Sequence, residues 1–282
     1  MNLINRVFTA MALGVLLLPG KGMAQVFTMS DGGSTATVNV GNTGTLGMNS
    51  WSVLNNQSQL NQQWFWYSVN GAAQQPINTI STATVFNFSN PASPLNDLGV
   101  TYSNSTLAVS VEYVLAGNGV GSGSADLTEN LNIQNTGASS ISLSFYQYSN
   151  FNLLQNNMNS VTISSDANGY LGATQTTGGP GGNGIAEVIE APLANNAEAA
   201  LAGQTLANLN GNSYYTLNGN TSAGPGDVTW AFQWNVTLDP NATLNIIKDK
   251  GLSIQIVPEP TTMAFVALGL GALGLARRRQ TA

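Results

Sequence analysis

A run of eleven residues, VTWAFQWNVTL from Val228 to Leu238, alternates between large apolar side chains and smaller or polar ones. Successive side chains of a β-strand point to opposite faces, whereas a helix would repeat every 3.6 residues. The run therefore predicts an antiparallel strand with one face in a core and the other in solvent. Asp239, Pro240 and Asn241 predict a turn, after which ATLNIIKDKGLSIQIV predicts the next strand or pair of strands.

Segments of the same kind recur along the chain, separated by residues that favour tight turns. They are TATVNV, WFWYSV, ATVFNF, LAVSVEYVL, LTENLNIQ, ISLSFYQYS and VTISS. Asn-Gly pairs, which tolerate positive φ, begin at positions 70, 168, 210 and 218. Strands of this number and spacing predict an all-β fold, a single β-sandwich-like domain over residues 25–256. The exception is residues 186–210, where the spacing of Ala and Leu predicts one or two short helices.

The first 24 residues have the layout of a secretory signal peptide. Arg6 precedes an apolar stretch from Val7 to Leu18, which is too short to span a bilayer. Small residues at Gly22 and Ala24 then prepare a cleavage site before Gln25. The sequence therefore predicts export through the Sec translocon and cleavage by signal peptidase between Ala24 and Gln25.

The chain contains neither histidine nor cysteine. The most common general base and the thiol nucleophile are therefore absent, and zinc and haem sites lose their commonest ligands. Residues 166–170 look like a fragment of a calcium loop, but they lack the further acids and the closing glutamate, so a plain Asn-Gly turn is favoured. We predict no catalytic residue, no metal site, no cofactor and no enzyme activity.

Paired carboxylates, as in glycosidases, are the remaining route to catalysis. Glu187 and Glu190 would share a face if this segment were a helix, but they would lie on opposite faces of a strand. Acidic side chains are mostly exposed in folded proteins. The favoured interpretation is therefore two solvated acids near a loop, with a carboxylate-based glycosidase as a minor alternative.

Charge is distributed very unevenly along the chain. Between Gln25 and Val257 the only basic residues are Lys248 and Lys250, against twelve acidic ones. A nucleic-acid partner needs a basic surface that neutralises phosphates, and adhesion to anionic lipid has the same requirement. The charge pattern therefore excludes nucleic acid as a partner, and Asn, Gln, Ser and Thr must provide most of the solubility.

The segment WFWY, residues 64–67, places aromatic rings on both faces of one predicted strand. A strand buried on both sides is the favoured interpretation. The alternative is that Trp64 and Trp66 form a stacking platform for sugar rings, which requires their faces to be open to solvent. Solvent exposure of these two side chains distinguishes the two hypotheses.

The C-terminal segment VPEPTTMAFVALGLGALGLARRRQTA combines a Pro-Glu-Pro motif, an apolar run and three arginines. As a helix, the run from Thr261 to Ala276 would be about 24 Å long. That length is slightly short of a hydrocarbon core of about 30 Å. Arginines favour the cytoplasmic side of a membrane. The segment therefore predicts a transient or marginal membrane anchor, with the body held outside.

The same segment, residues 257–282, resembles the PEP-CTERM sorting signal. The resemblance is carried by Pro258, Glu259 and Pro260, by the apolar run, and by Arg277, Arg278 and Arg279. It implies export in a Gram-negative bacterium and processing by exosortase, a membrane enzyme that recognises the Pro-Glu-Pro motif and removes the helix and arginines. Release or surface attachment then follows, commonly in organisms that make exopolysaccharide, floc or biofilm.

Two further resemblances concern the rest of the chain. LNIQNTGASSISLSFYQYSNFNL and GDVTWAFQWNVTLDPNATLNIIKDKGLSI are similar to segments of a recurrent β-rich domain in such exported proteins. The tail is also sometimes labelled as the C-terminal domain of ice-binding proteins. Flat ice-binding faces need regular rows of Thr, but the Thr pairs near positions 35, 43 and 82 are irregularly spaced. Ice binding is therefore a minor alternative.

Together these features predict a secreted or cell-surface β-sandwich protein that acts as a non-enzymatic component of an exopolysaccharide or biofilm matrix. The principal alternative is a carbohydrate-binding module. The predicted partners are exosortase, the export machinery and extracellular polysaccharide, with transient insertion of the C-terminal helix in the inner membrane.

Overall fold

Two antiparallel β-sheets packed face to face make up the computed structural model of the chain, which describes residues 25–54, 56–156, 158–178 and 183–255. The all-β, sandwich-like fold predicted from the alternating segments is confirmed. The predicted signal peptide and the predicted sorting signal, including Ala24, Pro258, Glu259, Pro260 and Arg277 to Arg279, lie outside the described residues.

Eight strands form the first sheet. They are β1 (Val26–Asp31), β2 (Ser34–Asn39), β3 (Gly47–Ser52), β4 (Leu60–Val69), β5 (Gln75–Pro76), β10 (Ile141–Phe151), β14 (Asn196–Leu201) and β16 (Val228–Leu238). Their order is β1-β2-β3-β4-β10-β16-β14, with the short β5 paired to β4. The predicted strand at 228–238 is thus β16, and it lies between β10 and β14 rather than at an edge.

Nine strands form the second sheet. They are β6 (Thr84–Asn87), β7 (Asp97–Ser103), β8 (Leu107–Gly117), β9 (Ser124–Asn135), β11 (Asn159–Asp166), β12 (Gly169–Thr177), β13 (Gly184–Ala191), β15 (Ser222–Gly226) and β17 (Thr243–Ser253). Their order is β15-β11-β12-β13-β17-β9-β8-β7-β6. The predicted strand after the turn at 239–241 is β17, and it lies at the centre of this sheet between β13 and β9.

The core lies between the two sheets and is rich in aromatic rings. Phe151 stacks on Trp230 with ring centroids 5.4 Å apart, and Phe65 stacks on Phe145 at 5.8 Å. These residues belong to three neighbouring strands of the eight-stranded sheet. Stacked pairs of this kind add stability beyond the area that they bury.

The two sheets differ in how their outer faces are covered. On the nine-stranded sheet, β8 and β9 alternate regularly between buried and partly exposed residues, as expected for a sheet with one face in solvent. The buried residues of these two strands are apolar except for Glu129 and Asn135. On the eight-stranded sheet, Trp66 and Tyr146 are buried on the outer face. Trp66 donates a hydrogen bond to Asn210, and Gln74 donates one to the Tyr146 hydroxyl, so the segments around residues 74 and 210 pack over this face.

This cover corrects the prediction that β16 is half-buried. Thr229, Ala231 and Gln233 are buried as well as the alternating aromatic residues, because the polypeptide around residues 204–217 packs on the outer face of the sheet. The alternation correctly indicated a strand, but only its last residues face solvent on one side.

The helix prediction for residues 186–210 was correct only at its C-terminal end. One short helix, α1 (Gln204–Leu209), forms there, while the preceding residues are strands β13 and β14. In β13 the residues Ile185, Glu187 and Ile189 alternate inward, which is a period of two. Local Ala and Leu spacing is a weak preference, and pairing with β12 and β17 overrides it. Within the described residues no helix has both the length and the apolar character needed to span a bilayer.

Candidate functional site

Four charged side chains meet inside the sandwich, on the inner face of the nine-stranded sheet. Lys248 and Lys250 lie next to each other on the buried face of β17, between Ile246 and Leu252. The strand register places Lys248 directly opposite Glu129 of β9 and Lys250 directly opposite Glu187 of β13. All four side chains are 0% exposed. We call this set the buried charge cluster.

The cluster has two acids and two bases in mutual contact. Oε2 of Glu129 accepts hydrogen bonds from the ammonium groups of both Lys248 and Lys250. Oε1 of Glu187 lies 3.3 Å from each of the same two nitrogens. The formal charges therefore cancel within the cluster, which is the condition under which charge can be buried at all.

The opposite sheet completes one side of the cluster. Oε2 of Glu187 accepts hydrogen bonds from Trp230 Nε1 at 2.6 Å and from Gln147 Nε2 at 2.9 Å. The Lys248 ammonium lies 5.1 Å from the centroid of the Phe65 ring, a cation–π arrangement. Residues of β4, β10 and β16 thus hold the cluster from across the core.

The two glutamates have unequal surroundings. Burial would raise the pKa of Glu187, but the charges of Lys250 and Lys248 and the hydrogen bonds from Trp230 and Gln147 outweigh it and lower that pKa to about 2. Glu129 has no such support on its other oxygen, because Oε1 has no hydrogen-bond partner among the described residues. Glu187 is therefore held as an anion by donors from both sheets, whereas the hydrogen-bond donors to Glu129 are the two lysines alone.

The two lysines also differ. Burial lowers the pKa of Lys248 to about 8, although Glu129 acts against this shift, and the neighbouring Lys250 lowers it further. For Lys250, burial also lowers the pKa, but the attraction of Glu129 and Glu187 outweighs it, so the pKa is raised. Of the two ammonium groups, Lys248 is the one that loses its proton more readily.

A third buried acid lies beneath the cover of the eight-stranded sheet. Glu198 of β14 is 2% exposed and accepts hydrogen bonds from the Thr205 hydroxyl at 2.5 Å, from the Tyr215 hydroxyl, and from the Asn218 backbone N–H at 3.1 Å. The acceptor capacity of this carboxylate is largely satisfied by neutral donors. It fixes α1 and the segment after it against the sheet.

A polar group at the surface adjoins that segment. The hydroxyl of Tyr214, whose side chain is 41% exposed, lies 2.9 Å from Ser144 Oγ. Ser144 and Gln233 both donate to the side-chain oxygen of Asn235, at 2.8 Å each. Tyr214, Ser144, Gln233 and Asn235 form what we call the surface polar cluster, in which an exposed aromatic ring stands beside amides and a hydroxyl.

The alternative hypothesis, a sugar-stacking platform at Trp64 and Trp66, is wrong. Trp64 and Trp66 are 1% and 2% exposed, so neither ring offers a free face to a sugar. Trp64 packs edge-on against Tyr102, and Trp66 packs edge-on against Tyr148 under the cover. The favoured interpretation, a strand buried on both sides, is confirmed, because β4 lies inside the sheet and both of its faces are covered.

The interpretation of Glu187 and Glu190 as two solvated acids is wrong for Glu187. On β13 the two residues point to opposite faces: Glu187 enters the core, and Glu190 is exposed. They therefore do not form a carboxylate pair. Glu190 instead interacts with Asp249 on the outer face of the sheet, and this hydrogen bond, with burial and the charge of Asp249, raises the pKa of Glu190.

Residues 166–170 form a turn, as the sequence favoured. The Asn168 backbone N–H donates to the Asp166 carboxylate at 2.7 Å, which is an Asx turn. Among the residues that the structure covers, no group of three or more His, Cys, Asp or Glu side chains is placed to hold a metal ion.

Sequence reasoning missed the burial of both lysines. A signal was present, because Lys248 and Lys250 share a strand face with Ile246 and Leu252, and Glu129 shares one with Leu127 and Leu131. Charged residues at core-facing positions of a strand are rare unless they are paired. The sequence did not reveal the partners, because β9, β13 and β17 are far apart along the chain.

The C-terminal tail matches a known sorting motif. Residues 257–280 match the PEP-CTERM protein-sorting motif. The chain carries a PEP-CTERM sorting motif. The motif marks an exported protein that is sorted at the membrane and processed by exosortase, as the Pro-Glu-Pro sequence and the arginine cluster predicted. No curated protein matches the PEP-CTERM chain in sequence.

Solved structures resemble the body of the chain. A protein assigned as an aldose 1-epimerase from Escherichia coli K12 is similar with a TM-score of 0.52 at 10% identity, over 83% of this chain and 100% of that one. A bacterial glucoamylase complexed with acarbose is similar with a TM-score of 0.55 at 10% identity, over 91% of this chain. The PEP-CTERM chain spans 37% of the glucoamylase. At these identities the likeness concerns the fold alone.

Proposed function

We propose that the processed body is a non-enzymatic structural protein of the cell surface or extracellular matrix, associated with exopolysaccharide in a biofilm or floc. The sorting motif brings the chain to the exporting membrane, and its apolar run serves as a transient anchor until exosortase removes it. The signal peptide directs the chain to the Sec translocon and is removed by signal peptidase. The body then acts outside the inner membrane.

The observation that carries this proposal is the outer face of the nine-stranded sheet. Polar side chains pair across its strands: Thr101 with Ser110 at 2.9 Å, Asn130 with Glu112 at 2.8 Å, and Asn132 with Asn245 at 2.7 Å. Because cross-strand hydrogen bonds keep these side chains ordered, this face presents hydroxyl and amide groups in regular positions. Such groups match the hydroxyls of a polysaccharide.

Charge favours a neutral glycan over an acidic one. The only two basic residues between Gln25 and Val257 are the buried Lys248 and Lys250, so the described surface carries acids without cations. An acidic polysaccharide would be repelled by that surface, whereas a neutral one would bind through hydrogen bonds.

The placement of the acids supports a non-enzymatic role. Glu129 and Glu187 are sealed in the core against lysines, and Glu198 is surrounded by hydrogen-bond donors under the cover. A retaining or inverting glycosidase needs two carboxyls that flank a bound sugar in one cleft. These three buried acids are instead used within the fold.

The test is deletion of the protein in its producing organism, followed by complementation. The full chain is expected to restore floc or biofilm, and a chain with Pro258, Glu259 and Pro260 changed to Ala is expected to fail, because it cannot be sorted. Unchanged surface organisation after deletion, or hydrolysis of the producer's own polysaccharide by the purified body, would contradict the proposal.

The surface polar cluster favours a second candidate function, carbohydrate binding. An exposed Tyr214 ring beside Ser144 and Asn235 combines an apolar face with polar groups, which is the usual composition of a sugar subsite. The two similar solved structures named above, an aldose 1-epimerase and a glucoamylase complexed with acarbose, are of proteins named for sugars, which supports the same ligand class.

Binding to neutral polysaccharides, measured by affinity electrophoresis, tests this candidate. Tyr214→Ala is expected to abolish any retardation of the protein, and Phe88→Ala, which removes an exposed ring elsewhere, should leave it unchanged. Equal retardation of both variants would remove the surface polar cluster as the binding site.

A further inference from the structure

Lys248 and Glu129 contact each other inside the core, where their side chains are shielded from solvent. The two residues lie directly opposite each other on β17 and β9, their side chains are fully buried, and the Lys248 ammonium contacts Glu129 Oε2. The other oxygen of the same carboxylate, Oε1, has no hydrogen-bond partner among the described residues. An amine and a carboxyl group are thus held together where water is excluded.

Burial favours the uncharged form of Lys248, because a low-dielectric interior disfavours its charge. Transfer of one proton from its ammonium group across the contact to the Glu129 carboxylate would give an amine beside a carboxylic acid. The pKa of Lys248, lowered by burial to about 8, agrees with this direction. A neutral amine has the lone pair that a nucleophile needs.

We propose that Lys248 and Glu129 condense to form an intramolecular isopeptide bond that links β17 to β9. The Nζ lone pair of Lys248 attacks the carboxyl carbon, Cδ, of Glu129, and a new N–C bond forms. One C–O bond of the carboxyl group then breaks, and that oxygen leaves as water with two of the protons of the original ammonium group. The products are one amide and one water, and no oxidant, reductant or cofactor is required.

The other two members of the cluster are placed to assist. Glu187 Oε1 lies 3.3 Å from Lys248 Nζ and holds the attacking nitrogen in position beside Glu129. The Lys250 ammonium contacts Glu129 Oε2 and stabilises the negative charge that develops there. Contact between the reactants adds the advantage of proximity.

The surroundings also select which pair reacts. Lys250 lies opposite Glu187, but its pKa is raised, so it stays an ammonium group. Glu187 is held as an anion by Trp230 and Gln147, and an anionic carboxylate is a poor target for an amine. After condensation of Lys248 with Glu129, Lys250 and Glu187 remain as one balanced ion pair at 3.3 Å. The product therefore buries two charges instead of four.

The chain has no cysteine and therefore forms no disulfide bond. The isopeptide bond would provide a covalent cross-link instead. It would join two residues that are 119 positions apart in sequence, on neighbouring strands at the centre of the nine-stranded sheet. A covalent link between strands resists local opening and proteolysis outside the cell.

Mass spectrometry of the full chain, purified in its folded state and then denatured, tests the proposal. The intact mass is expected to be one water lower than the sequence requires for the observed termini. Chymotryptic digestion is expected to release one branched peptide that joins the segment containing Glu129 to the segment containing Lys248. An unreduced mass, a branch at Lys250, or a water lost elsewhere would overturn the proposal.

Two variants separate this reaction from general dehydration. Lys248→Arg keeps a positive charge opposite Glu129 but has no amine that condenses, so its mass should be the full sequence mass. Glu190→Gln, at the exposed end of β13, should lose one water as the wild type does. Because the peptide analysis of the wild type is decisive by itself, poor folding of a variant leaves the test intact.

Discussion

At the scale of single residues, Glu187 is the buried acid that links the two sheets across the core. It faces both lysines and accepts hydrogen bonds from Trp230 and Gln147. Replacing it with Gln leaves the buried Lys250 ammonium without the carboxylate that lies opposite it, and removal of one member of a buried ion pair costs about 3–5 kcal/mol. Urea unfolding should therefore show a large loss of stability for Glu187→Gln.

The matched control for this substitution is Glu190→Gln on the same strand. Its side chain is exposed, so the free energy of unfolding should change by about 0.5 kcal/mol or less. Equal losses for the two variants would contradict the assignment of Glu187 to the buried charge cluster.

Asp97 carries a residue-scale prediction about pH. Burial, with a smaller contribution from the charge of Glu112, raises the pKa of Asp97 to about 6 from an ordinary value of 3.8. The folded state therefore binds its proton more tightly than the unfolded state. The stability that this group contributes is present below about pH 4 and falls as the pH rises towards 6.

Carboxyl carbon chemical shifts measured by NMR check that assignment. The Asp97 resonance should titrate with a midpoint near 6, and Asp97→Asn should flatten the fall in unfolding free energy between pH 4 and pH 6. A midpoint at or below 4 would show that Asp97 is solvated in the folded protein.

At the scale of elements, the junction of β3 and β4 depends on one glycine. Gly47 has φ +82°, and a Cβ there would lie 2.2 Å from the Gln63 carbonyl oxygen and 2.5 Å from the Trp64 ring. Gly71 has a similar φ of +74° but open space around it. The two positions therefore separate backbone strain from steric overlap.

Thermal unfolding of Gly47→Ala and Gly71→Ala measures that difference. Both variants lose about 1–2 kcal/mol from the left-handed backbone conformation, but only Gly47→Ala should lose more, because β3 must move away from β4. Equal melting temperatures would indicate that the two strands are not in close contact at Gly47.

Elements were predictable from sequence where the alternation is local. β16 and β17 follow from period-two patterns and an intervening Asp-Pro-Asn turn, and both are present. The burial of β16 on its second face was not predictable, because the covering segment around α1 is held there by Glu198 and Gln233 through tertiary contacts. Strand pairing, which determines the buried charge cluster, is likewise non-local.

At the candidate sites, too, local patterns were predictable from sequence and non-local contacts were not. Trp64 and Trp66 were correctly placed on opposite faces from their neighbours, but sequence does not show which faces are covered. Lys248 and Lys250 stood out as the only cations of the body, although their burial depended on partners from β9 and β13. Composition thus indicated which residues were unusual, and topology determined their role.

At the scale of the whole molecule, sorting and folding are encoded in separate parts of the chain. The motif at residues 257–280 is the sorting signal. The two-sheet body has a surface on which the described residues include no lysine or arginine, because both lysines are buried. Under the function proposed above, the acidic and neutral polar groups on that surface favour a neutral glycan over an acidic one.

The measurement that tests this account most directly is the mass of the mature protein from its producing organism. We expect an N-terminus at Gln25 and a C-terminus at or near the Pro-Glu-Pro motif, without the apolar run and the three arginines. A mature chain that still ends at Ala282 would contradict processing by exosortase and, with it, the assignment of the body to the cell surface or matrix.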